Sequence, residues 1–82
     1  MAARREWDLN GFVSGEQFSE AMSATDQEVE LYDRVRGYYT RGTLHFTLIS
    51  GKSFRGTLRH GVERFVVIGR METDSRGTVM EE

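Results

Sequence analysis

The stretch Gly42 to Ile68, GTLHFTLISGKSFRGTLRHGVERFVVI, decides the fold class. Its apolar and polar residues alternate. Leu44, Phe46 and Leu48 fall on one side, and Thr43, His45 and Thr47 on the other. After Gly51 the alternation resumes, with Phe54 and Leu58 on the apolar side and Arg55, Thr57 and Arg59 on the polar side. After Gly61 comes a third run, Arg64 to Ile68, that is almost wholly apolar. A period of two marks half-buried antiparallel strands. Three such strands joined by tight glycine turns form a bent meander of the kind that builds small β-barrels. Glycine suits the sharp bends because it tolerates backbone angles that strain other residues.

Charge is segregated along the chain. Residues 1–33 sum to −6, residues 34–70 to +7 and residues 71–82 to −3, so a formal net charge of −2 conceals a basic centre between acidic ends. A basic centre suits a polyanionic partner. The simpler reading is that arginines on strands are solvated polar-face residues. The acidic ends can fold back on the centre or pair with a neighbouring subunit.

Eighty-two residues make one domain at most. So short a chain buries a thin core, which favours oligomerisation. The absence of cysteine excludes disulfides and thiolate metal sites. No run resembles a signal peptide or approaches the length of a membrane span, and the expected setting is cytoplasmic.

The N-terminal half reads as helical or loosely ordered. Thr25 and Glu28 have capping-box spacing, and Leu31, Tyr32, Val35, Tyr38 and Tyr39 follow at helical intervals. Asp26 and Glu28 near the start, with Arg34 and Arg36 near the end, suit the helix dipole. The spacing predicts a helix within residues 25–39, ending at Gly37 or Gly42. Ser14 and Gln17 suggest a shorter helix to Met22 within an acidic extension, residues 1–24. The first dozen residues are ambiguous. Asn10-Gly11 is a turn signal, and Trp7 and Phe12 suit covering the barrel or docking on a partner. The expected class is therefore α+β: N-terminal helices, then a β-meander over residues 42–82. Residues 71–82 hold a fourth strand, Thr78 to Glu82. A fifth has no obvious sequence, so either the barrel is incomplete or the N-terminal segment or another subunit supplies that edge.

The pattern Leu48-x-x-Gly51-x-x-Phe54-x-Gly56-x-Leu58, followed by Phe65-Val66-Val67-Ile68, resembles the first motif of the Sm-like family, and its end resembles the Hfq-type bacterial RNA chaperones. The resemblance covers residues 26–70. The aspartate and asparagine usual before the third strand are replaced by His60-Gly61-Val62-Glu63-Arg64, and the late Tyr-Lys-His signature is absent. The resemblance implies a homo-oligomeric ring that binds single-stranded RNA by base stacking and arginine–phosphate contacts. By position it implies a uridine pocket at Arg64 and Phe65, and an opposite-face adenine site at Thr47, Ser53 and Arg55. Arg76-Gly77 is similar to the Arg-Gly of the second Sm motif. The implied RNA-binding residues are Lys52, Arg55, Arg59, His60, Arg64, Phe65 and Arg76. Phe65 also fits a simple core role.

Catalysis finds little support. The two histidines, His45 and His60, have no partner spacing that suggests a metal site. Gly51-Lys52-Ser53 mimics the end of a phosphate loop, but Phe46 stands where the first glycine belongs and no helix follows. The sequence implies no enzyme, cofactor or small-molecule substrate. The alternative to RNA binding is a protein-interaction or assembly module with an SH3-like barrel and no nucleic-acid partner.

Overall fold

The computed structural model describes residues 4–11, 26–73 and 75–82. Among these residues the chain is all-β. Six strands run in sequence order: β1 Glu6–Asn10, β2 Gln27–Asp33, β3 Tyr38–Ser50, β4 Ser53–His60, β5 Glu63–Met71 and β6 Arg76–Glu81. Each pairs antiparallel with the next, and β1 pairs with both β2 and β6, closing the barrel. No helix among the described residues is long and apolar enough to cross a membrane.

The α+β expectation is overturned. Residues 26–38 form β2, a turn and the start of β3 instead of a helix. The reason is legible in Glu28-Val29-Glu30-Leu31-Tyr32-Asp33. Val29, Leu31 and Asp33 are buried while Glu28 and Glu30 are exposed, a period of two that the helical spacing of Leu31, Tyr32 and Val35 obscured. Of the residues at helical spacing, Leu31 enters the core while Val35 is exposed in the turn. Tertiary pairing on both sides outweighs a weak helical propensity. The shorter helix to Met22 and the capping residue Thr25 lie outside the described residues.

The missing edge is supplied within the chain. Trp7 and Leu9 of β1 point inward and are fully buried, and β1 is in register with Gly77 and Val79 of β6. The expectation that another subunit completes the barrel by strand pairing therefore loses its basis. The expected late strand is present as β6.

The meander follows the sequence closely. Leu44, Phe46, Phe54, Leu58 and Val67 are buried, with Phe65 half-buried against them. Two-residue turns at Gly51-Lys52 and Gly61-Val62 place each glycine at positive φ, 61° and 62°, as twisted hairpins require. Leu48 departs from the expected inward set. A bulge between Phe46 and Leu48 resets the phase, leaving Leu48 56% exposed and turning Ile49 toward the core.

One end of the barrel is closed by a charged plug. Arg5, just before β1, donates from Nη2 to Asp33 Oδ2 at 3.2 Å and from Nη1 to Glu63 Oε1 at 3.1 Å. Its guanidinium lies 5.5 Å from the ring centroids of both Trp7 and Phe65. Asp33 is fully buried, and its Oδ1 accepts from the Val35 and Arg36 amides at 3.0 Å each, shaping the β2–β3 turn. Burial acts to raise the Asp33 carboxyl. The two amide donors and the Arg5 and Arg36 charges outweigh it and hold the group below its ordinary value.

Two outcomes follow from this packing. Phe54→Ala is expected to cost about 3–5 kcal/mol and Leu48→Ala less than about 0.5 kcal/mol in urea unfolding, since only the first leaves a core cavity. Equal losses would contradict the bulge. Asp33 has a depressed folded pKa, so its stabilisation is present above the unfolded carboxylate value and is lost as pH falls through the folded one. Asp33→Asn should flatten that acid limb in thermal melts taken from neutral to acid pH. An unchanged limb would remove Asp33 from its origin.

Candidate interaction surface

Strand register converts charge along the chain into charge around the barrel. The outward residues of β1 and β2 include Glu6, Asp8, Glu28 and Glu30, with no cation among them. The outward residues of β4 and β5 include Arg55, Arg59, Arg64 and Arg70, with no carboxylate among them. In the closed order, β1 and β4 are three steps apart by either route, as are β2 and β5. Asp8, Glu28 and Glu30 therefore face away from the basic wall, whereas Glu6, in register with Met80 and through it with Ile68, lies at the basic wall's margin.

On the basic wall, Arg59 is in register with Arg64, Thr57 with Val66, Arg55 with Ile68 and Ser53 with Arg70. Like charges directly opposite are unfavourable across a strand pair. Asp26, just before β2, relieves this by pairing with Arg59. Glu82 pairs with Arg55 and favours its charged form. Both contacts are exposed and contribute little. Arg64 and Arg70 have no carboxylate within ion-pair distance among the described residues.

The wall also carries apolar side chains. Leu48, which the bulge turns outward, is in register with Arg55, Arg55 with Ile68, and Ile68 with Met80. Leu48, Ile68 and Met80 line one groove together with Arg55 and Arg70 and the carboxylates of Glu6 and Glu82. Val66 lies beside it and is 52% exposed. Adjacent exposed apolar residues of this kind mark interaction surfaces.

The residues implied by the Sm-like resemblance do not converge on one site. Arg55, Arg59 and Arg64 share the basic wall. Lys52 sits in the β3–β4 turn, and Arg76 lies on β6 in register with Asn10 of β1. His60 ends β4, with Nε2 2.8 Å from the Thr40 hydroxyl and Nδ1 buried without a partner. Phe65 packs against Trp7, ring centroids 5.1 Å apart, beneath Arg5. Arg64 and Phe65 are consecutive on a strand and so point to opposite sides of the sheet. Of the opposite-face set, the Thr47 hydroxyl donates to the Arg55 carbonyl and Ser53 starts β4.

The exposed aromatic residues lie elsewhere. Tyr39 is 72% exposed and meets Tyr32 at 4.9 Å between centroids, on a polar groove shared with Asp8, Glu30, Glu72 and Arg76. Tyr38, beside Tyr39 on β3, is also exposed. Sequence reasoning did not find Leu48 or this tyrosine pair as surface features. The alternation Arg5-Glu6-Trp7-Asp8-Leu9 was the available signal for β1 and its acidic outer face.

No protein-family model, curated protein or solved structure matches the chain. The Sm-like resemblance therefore rests on the small barrel and the motif residues alone.

Proposed function

We propose that this chain is a non-catalytic protein-interaction module whose β3–β6 outer wall takes an acidic, partly apolar segment. The observation that carries the reading is the contiguous set Leu48, Val66 and Ile68, exposed among Arg55, Arg59, Arg64 and Arg70. Its apolar centre supplies burial and its guanidinium groups supply orientation.

Single-stranded RNA binding is the competing reading, favoured by the juxtaposed Arg59 and Arg64. It needs bases to stack where phosphates are held. Here the clustered arginines stand on β4 and β5, whereas the half-buried Tyr32 and the exposed Tyr39 stand on β2 and β3, in a groove where Asp8, Glu30 and Glu72 outnumber the single cation Arg76. That separation supports the protein reading.

A random-peptide selection tests it. The enriched peptides should combine Asp or Glu with apolar residues, and Ile68→Asp should abolish their binding while Tyr39→Ala leaves it intact. Labelled oligo-uridine and oligo-adenine titrated at about 50 and 200 mM salt should show no specific binding. Binding of either oligomer that is lost in Arg59→Gln/Arg64→Gln, with no peptide captured by the wall, would overturn the proposal.

A further inference from the structure

The two opposite walls are complementary to each other. Glu28 and Glu30 on the acidic side have no cation within ion-pair distance among the described residues, and neither Arg64 nor Arg70 on the basic side has a carboxylate. The acidic side also presents the Tyr32–Tyr39 pair, and the basic side Val66 and Ile68. Each wall keeps unpaired charge of the sign that the other can neutralise. We propose that the partner on the basic wall is the acidic wall of a second copy of this chain, so that barrels stack head to tail. This rests on the protein-interaction reading and names its partner.

Electrostatics fixes the orientation. Two copies meeting through the same wall would set the unpaired Arg64 and Arg70 against their own copies, or Glu28 and Glu30 against theirs, and such like-charge contacts are unfavourable. Opposite walls put guanidinium forks against carboxylates and against tyrosine faces, and both contacts are favourable. The contact is heterologous, because each copy offers one wall and receives on the other. Such contacts close into rings or continue as filaments.

Surface area permits both contacts at once. A standard interface takes roughly 800 Å² from each partner, and the chain exposes 5350 Å². No strand edge is involved, since β1 and β6 are already paired. The association is thus built from side chains and is sensitive to salt.

Sedimentation velocity of the full chain gives the first test. At about 0.01 M salt the mass should exceed 9.4 kDa and rise with concentration, and at about 1 M salt it should fall back to 9.4 kDa. Two variants give the second. Glu28→Gln/Glu30→Gln neutralises one wall and Arg59→Gln/Arg64→Gln the other, all at outward positions, and melting curves establish that both fold. Each variant alone should be a monomer. Mixed, they retain one intact wall apiece and should form a 1:1 pair at twice 9.4 kDa that grows no further.

A wild-type chain that stays monomeric at low salt overturns the proposal. So do variants that assemble as the wild type does, or monomeric variants whose mixture fails to pair. Peptide capture by the basic wall is scored separately. A monomeric chain that still captures acidic peptides loses the second copy as partner and keeps the interaction module.

Discussion

Everything in this barrel depends on β1 being held twice. Its five residues pair with β2 on one side and β6 on the other, and without them the remaining strands would form an open sheet with two exposed edges. Trp7 makes the closure cohesive. It is the largest fully buried side chain, in register with Asp33 across one ladder and Val79 across the other. The Glu81 amide donates to the Arg5 carbonyl and the Arg34 amide to the Glu6 carbonyl, extending the backbone ties beyond both ladders.

The charged plug follows from that closure. Arg5 precedes β1, Asp33 ends β2 and Glu63 begins β5, so only a closed barrel brings the three to one end. A buried carboxylate is costly unless it is paired and hydrogen-bonded. Asp33 meets that condition through Arg5 and two turn amides, and the same contacts set the β2–β3 turn and the stacking of Arg5 on Trp7 and Phe65. A packing position and a turn position are thereby joined in one network.

The outer surface reflects a different consequence of the same topology. A meander that closes in sequence order maps distance along the chain onto angle around the barrel. A chain acidic early and basic in the middle becomes a barrel acidic on one side and basic on the other. The bulge after Phe46 then adds Leu48 to the basic side, where Val66 and Ile68 already face outward. The wall gains an apolar centre that charge alone would not give it.

The sequence by itself determined the meander of residues 42–68, with its turn glycines and inward Leu44, Phe46, Phe54, Leu58 and Val67, because alternation and glycine punctuation are local signals. It also determined the order of charge. It did not determine that residues 27–33 form a strand, since Val29, Leu31 and Asp33 alternate over too few residues to outweigh helical spacing until neighbours on both sides supply hydrogen-bond partners. Nor did it place Leu48 outside, because a bulge depends on the register of the opposing strand. The Arg64–Phe65 pocket read from motif resemblance is divided by the pleat. Only tertiary structure decided which wall each charge occupies, because that depends on β1 reaching β6, a contact between the two ends of the chain that no local pattern encodes.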